Sequence, residues 1–147
     1  MTASASQSAW FDYPLTVQPH HTDYAGVVWH GAYLTWMEEA RVVALQSAGV
    51  EFSDLVNLGC DLPVIHLSLS YRQSLKLGDR ARVRTRLDRV EKVRFLWTQN
   101  ITPLDSDLCF VAGQVTLVAV DRNHRRILRR FPPQMQTAIA YLTHPAC

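Results

Sequence analysis

The chain has 147 residues, 48% of them apolar and 19% charged, a size and balance that describe one globular domain, 1–147, able to bury a core of its own. No run approaches the roughly 18 uncharged apolar residues that a spanning helix needs, so no membrane span is expected. The net charge of +2 conceals an asymmetry: residues 1–71 carry seven acids against one base (Arg41), and residues 72–147 carry fourteen bases against six acids, giving −6 and +8. A basic second half should attract something anionic.

The opening MTASASQSA is small and polar, without the charged start and apolar core of a signal peptide. Residues 1–9 read as a frayed tail and the protein as cytoplasmic. Residues 10–17, WFDYPLTV, read as a short strand, with Pro14 marking an edge position. A loop over 20–31 follows. Then Tyr33, Trp36, Met37, Ala40, Ala44 and Ala48 recur at helical spacing, with Glu38, Glu39, Arg41 and Gln46 on the remaining surface and Gly49 as the stop. Residues 53–58 form a turn or two of helix, with Ser53 as cap and Gly59 as terminator.

From residue 62 the period becomes alternating. Ile65, Leu67, Leu69 and Tyr71 share one strand face, and Leu77-Gly78-Asp79 is a turn. Ala81, Val83, Thr85 and Leu87 then alternate with Arg82, Arg84, Arg86 and Asp88. Val93, Phe95, Trp97 and Ile101 mark a further strand ending near Pro103. Residues 108–120 are apolar on both faces, as in a central strand covered on each side. Pro132-Pro133 starts a final helical segment, QMQTAIAYL. One long helix followed by consecutive antiparallel strands gives an α+β fold with the helix on one sheet face. With no second long helix available, another subunit is the expected cover for the other face.

Asp23-Tyr24-Ala25-Gly26 has the form of a type I turn, with Asp first and Gly fourth. Structurally it is simply that turn. Functionally, it leads to a helix start near His30-Gly31, where unpaired N–H groups suit developing negative charge. A carboxylate beside them serves as base or nucleophile toward an acyl carbon. His30 is open to three roles: cap, substrate contact or acid–base partner. His20 and His21 are adjacent and diverge on an extended chain, so no metal site is expected there. His66 falls on the polar face of its strand. Cys60, Cys109 and Cys147 are odd in number with no metal-ligand spacing, and read as reduced structural thiols. No P-loop, Rossmann glycine pattern, G-x-S-x-G or Ser/His/Asp order is present. The arginines at 82, 84, 86, 122, 125, 126, 129 and 130 read either as a solvated surface or as a handle for a phosphate-bearing ligand; no nucleic-acid recognition motif accompanies them.

The stretch HTDYAGVVWHGAYLTWME resembles the motif of the hotdog-fold thioesterases of the 4-hydroxybenzoyl-CoA family, D-x-x-G-x-V-x-(H/Y)-x-x-Y followed by aromatic residues and a Glu. Asp23, Gly26, Val28, His30, Tyr33 and Glu38 match it in order. With LPVIHLSL (62–69) and MQTAIAYLTHP (135–145), the chain looks most like the cyanobacterial 1,4-dihydroxy-2-naphthoyl-CoA hydrolases of phylloquinone synthesis. One departure is His21, where relatives often carry an acid.

The resemblance implies a sheet wrapped around the long helix and self-association as a homodimer or homotetramer with active sites at the subunit interface. It implies an acyl-CoA substrate and no cofactor or metal. Asp23 is then the catalytic carboxylate, and the backbone N–H at His30 polarises the thioester carbonyl. Tyr24, Trp29, Gly31, Tyr33 and Glu38 line the acyl group, and Arg94, Arg125 and Arg126 hold the phosphates of CoA. The alternatives are a thioesterase for 4-hydroxybenzoyl-type or short aliphatic acyl groups and a non-catalytic acyl-CoA-binding module. Enoyl-thioester hydration is disfavoured because its Asp/His helix motif is absent.

Overall fold

The computed structural model describes residues 9–143. Residues 1–8 of the expected tail, and Cys147, lie outside the described residues.

Strand β1 (Phe11–Thr16) leads through a 3-10 turn at Pro19–His21 to the long helix α1 (His30–Ser47). A short helix α2 (Phe52–Asn57) and strands β2 (Cys60–Asp61), β3 (Val64–Tyr71), β4 (Arg80–Glu91), β5 (Arg94–Pro103), β6 (Val111–Val118) and β7 (Val120–Asp121) follow, and α3 (Pro133–Thr143) closes the described chain. Helix α1 begins at His30, inside the span expected to be loop. Ser53 does not cap α2: the N-cap is Glu51, without a side-chain cap bond. Gly49 and Gly59, at φ +89° and +76°, take the left-handed conformation that ends each helix.

The main sheet is five-stranded and antiparallel, in the order β1-β4-β5-β6-β3. Its β1 edge agrees with Pro14, which sits opposite Arg82 and needs no donor on its free side. Period-two patterning gives a strand its two faces but not its neighbours. Accordingly β3, next to β4 in sequence, crosses to the far edge and pairs with β6.

Helix α1 lies across the inner face, burying Ala32, Trp36, Met37, Ala40 and Ala44. The Met37 side chain of α1 reaches Gly113 of β6, where an added Cβ would come 2.8 Å from Met37 Cε and 2.7 Å from Leu69 Cδ2. Met135, Ala138 and Leu142 of α3 join the same core cluster.

Two expectations change. The 108–120 run is not one doubly apolar strand: β6 covers only Val111–Val118. Val111, Val115 and Leu117 face the core, and Ala112, Gln114 and Thr116 face outward beside Asn100, Thr98 and Leu96 of β5. The outer face is therefore polar along its first half, with Arg82, Arg84 and Arg86 on the neighbouring strand, and is covered only at Thr116 and Val118, both buried, so the sheet does not demand an apolar cover along its length. The unsatisfied surface is instead the β3 edge, where Val64, Ile65, Leu67 and Tyr71 are all exposed. Among the described residues no helix is long and apolar enough to cross a membrane.

Candidate active site

Residues 22–28 form a tight hairpin that delivers the chain to α1. Thr22 bridges Val28, and the Asp23 N–H donates to the Val27 carbonyl at 2.9 Å. The expected turn is there: the Gly26 N–H donates to the Asp23 carbonyl at 3.1 Å, with Gly26 at φ +80°. The Asp23 carboxylate takes part, its Oδ1 accepting the Ala25 N–H at 2.8 Å and the Val27 N–H at 3.3 Å. Oδ2 has no hydrogen bond among the described residues and the side chain is exposed. One carboxylate thus serves both readings: one oxygen fixes the loop and the other is open.

The hairpin ends at Trp29, the N-cap of α1, whose side chain makes no cap bond. The His30 and Gly31 N–H groups open the helix and have no partner within it. The macrodipole adds positive potential at this end. His30 is the first helical residue rather than the cap, and its ring lies 6.3 Å from that of Tyr71 on the β3 edge. The Trp29 indole folds over Gly31, filling the space a Cβ there would occupy. Any larger residue at 31 would displace that ring.

The remaining expected positions divide. Tyr33 is buried between the rings of Trp36 and Tyr71, each 5.6 Å away, and its hydroxyl accepts the Leu75 N–H at 3.1 Å. Burial is the largest influence on that phenol and raises its pKa above the ordinary tyrosine value. Tyr33 therefore braces the site and does not line an open pocket. Tyr24 is fully exposed and Trp29 half exposed, so neither is enclosed within one chain. Glu38 is exposed on α1 and lines a groove between that helix and β3. A larger open cleft of about 680 Å³, bordered by Leu75, Asp79, Arg80, Pro103 and Phe110, contains none of the expected residues.

Within one chain, Arg94, Arg125 and Arg126 do not meet Asp23. The His30 end of the sheet is the Tyr71–Val111 end, and Arg94 pairs with Val118 at the other. The seven residue steps from Val111 to Val118 span about 23 Å. Arg125 and Arg126 belong to the loop that hydrogen-bonds Asp121, at that same far end. The sequence showed the arginines but not the end of the sheet they occupy.

Two residues of interest were missed. Arg41, expected on the solvated face of α1, is only 8% exposed, and Gln99 is fully buried. Arg41 Nη1 donates to Gln99 Oε1 at 2.9 Å. The alternation of β5 puts Gln99 among inward residues, which is a faint signal. Nothing in the sequence pairs it with a helix 58 positions away. His21 accepts the Gln18 N–H on Nδ1 and packs edge-on against Trp36, 4.8 Å between ring centres.

Residues 25–110 match the model of the thioesterase superfamily. A candidate esterase of Synechocystis sp. (sll0410) is 50% identical over 127 residues, covering 86% of this chain and 76% of that protein. The 1,4-dihydroxy-2-naphthoyl-CoA hydrolase of Synechococcus sp. (strain CC9605) is 25% identical over 127 residues, covering 82% and 84%. The crystal structure of Slr0204, a 1,4-dihydroxy-2-naphthoyl-CoA thioesterase from Synechocystis, is similar with a TM-score of 0.84 and 28% identity, covering 93% of this chain and 100% of that one. With an antiparallel sheet wrapped on one long helix and more than half its length matching that family model, the chain belongs to the thioesterase superfamily and is a thioester hydrolase of the hotdog fold.

Proposed function

We propose that the protein is an acyl-CoA thioesterase for an aromatic acyl group, and that it hydrolyses 1,4-dihydroxy-2-naphthoyl-CoA to 1,4-dihydroxy-2-naphthoate and CoA in phylloquinone biosynthesis. The observation that carries this reading is the half-free Asp23 carboxylate on the hairpin that opens α1. The thioester carbonyl oxygen accepts from the uncapped His30 and Gly31 N–H groups, which stabilise the oxyanion as it forms.

Asp23 lies opposite Val27, three residues before His30, so roughly 10 Å separates the two backbones along the arm. A hydrogen bond of about 3 Å, the carbonyl, an attack distance of about 3 Å and the Asp side chain fill that gap. Oδ2 takes a proton from water as the oxygen adds to the carbonyl carbon; the C–S bond then breaks and the proton passes to the departing thiolate. Direct attack by Oδ2, followed by hydrolysis of the anhydride, uses the same geometry. Kinship with the naphthoyl-CoA hydrolases supports the choice of acyl group.

Self-association completes the site. A copy pairing antiparallel along β3 about a two-fold axis would cover the exposed Val64, Ile65, Leu67 and Tyr71. It would also bring the partner subunit's Arg94, Arg125 and Arg126 toward His30, a pantetheine's length from the thioester, and would enclose the acyl group against Tyr24, Trp29 and Glu38. The working unit is then a homodimer, or a homotetramer of two such dimers, in the cytoplasm, where the free thiols Cys60 and Cys109 stay reduced.

Free-thiol release from 1,4-dihydroxy-2-naphthoyl-CoA, benzoyl-CoA and a short aliphatic acyl-CoA, with wild type and Asp23→Asn, tests the reading. Asp23-dependent release from the naphthoyl thioester alone is expected. Release from the others instead keeps the chemistry and removes the naphthoate assignment, and release from none favours a non-catalytic acyl-CoA-binding module.

A further inference from the structure

Arg41 is a buried cation whose hydrogen bonding is incomplete. A guanidinium has five N–H donors, and among the described residues one hydrogen bond is made, from Nη1 to Gln99 Oε1 at 2.9 Å. Among the described residues no carboxylate lies within ion-pair distance, although the charge of Glu38 on the same helix acts on the guanidinium. Gln99 is itself fixed: its Nε2 donates to the Met37 carbonyl at 2.8 Å and to Thr85 Oγ1 at 3.1 Å. The amide cannot turn over without losing both bonds, so Oε1 is held toward Arg41. Among the described residues, none of the buried side-chain atoms without a partner belongs to Arg41, so its remaining donors reach solvent.

Those donors border a groove. Two adjoining hollows of about 280 and 240 Å³ run between α1 and β3, sharing Glu38, Arg41 and Val64 in their walls. Leu34, Met37 and Leu67 make the rest of the first hollow largely apolar. The groove starts at Leu34 and Thr35, about one turn from His30, and Thr35 is tied to that turn by its bond to the Gly31 carbonyl. Arg41 lies eleven residues past His30, about 16 Å along the axis, and long helical side chains lean back toward the N-terminus. The guanidinium thus stands at the far end of an apolar slot that opens beside the proposed carbonyl site.

We propose that Arg41, positioned by Gln99, determines acyl specificity by binding an anionic or strongly hydrogen-bond-accepting substituent on the edge of the acyl group remote from the thioester. This rests on the thioesterase reading of the same site and narrows its substrate class to ring systems bearing such a group. Plain hydrocarbon acyl chains leave the donors unfilled and are discriminated against.

The test is the ratio of kcat/KM for 4-carboxybenzoyl-CoA to that for benzoyl-CoA, which is independent of the folded fraction of each preparation. Wild type is expected to favour the carboxylated thioester by about tenfold or more. Arg41→Met brings the ratio close to one. Arg41→Lys, which keeps the charge but loses the fork, and Gln99→Leu, which frees the guanidinium, give intermediate ratios and serve if Arg41→Met does not fold. A wild-type ratio near one, or one that all three variants leave unchanged, overturns the proposal. So does dissociation of the oligomer by Arg41→Met with the ratio retained, since the donors would then serve a second copy.

If wild type cleaves neither thioester, it is the thioesterase reading that fails. Calorimetry with the non-hydrolysable thioethers 4-carboxyphenacyl-CoA and phenacyl-CoA then decides. Tighter binding of the carboxylated probe, lost in Arg41→Met, upholds the proposal, and equal binding overturns it.

Discussion

The Tyr33 hydroxyl on α1 accepts the Leu75 backbone N–H at 3.1 Å, and the Leu75 carbonyl in turn accepts the Val28 N–H at 2.9 Å. These two bonds tie the first turns of the helix to the 72–79 loop and, through it, to the hairpin that carries Asp23. Tyr33→Phe leaves a buried N–H without its partner. A loss of about 1–2 kcal/mol in chemical denaturation is expected, with a fall in kcat/KM as the hairpin loosens.

The same phenol gives a pH dependence. Burial raises its pKa above the unfolded value, so the folded state favours the protonated form. Its contribution is complete below the unfolded tyrosine pKa of about 10 and is lost as pH rises through the folded value. Melting temperature measured from pH 8 to 11 should fall more steeply for wild type than for Tyr33→Phe at the alkaline end.

Asp23 separates structure from chemistry because its two oxygens have different partners. Asp23→Asn keeps an acceptor for the Ala25 and Val27 N–H groups, so the melting temperature should barely move. Thiol release should fall by a hundredfold or more, about 3 kcal/mol of transition-state stabilisation. Asp23→Ala should lose the activity and also about 1 kcal/mol of stability, as the turn loses its side-chain bonds. Equal activity in wild type and Asp23→Asn would remove the carboxylate from the mechanism.

Gly113 of β6 leaves room for the tip of Met37 from α1. Gly113→Ala pushes a methyl toward Met37 Cε, Leu69 Cδ2 and the Gln99 carbonyl, at 2.8, 2.7 and 3.1 Å. The expected cost is about 1–3 kcal/mol in urea unfolding. Because Met37 lines the Arg41 groove and Gln99 holds Arg41, acyl preference should shift with it.

The exposed β3 edge makes assembly testable. Leu67→Lys puts a charge on an apolar position that the proposed two-fold pairing would bury. Sedimentation should report monomer. An oligomer of unchanged size would exclude this edge as the interface.

What the sequence determined is what short-range geometry controls. The Asp23–Gly26 turn depends on four neighbouring residues and on glycine's tolerance of positive φ. Helix α1 followed from a 3.6-residue period, the strands from a period of two, and the edge position of β1 from one proline without a donor. The family motif lay in a single contiguous stretch.

Tertiary structure decided everything that required distant residues to meet. Alternation gives a strand its faces, whereas pairing chooses its neighbours, so the crossing of β3 to β6 and the bare edge it leaves were not legible. The same holds for the end of the sheet on which Arg94, Arg125 and Arg126 fall. Arg41 is the sharpest case. An arginine on an amphipathic helix belongs in solvent by default, and this one is buried because a glutamine on β5, locked by a backbone carbonyl and a threonine, supplies an acceptor in the core. Burial of a charge is set by partners brought near in space, and one helix's periodicity carries no information about them.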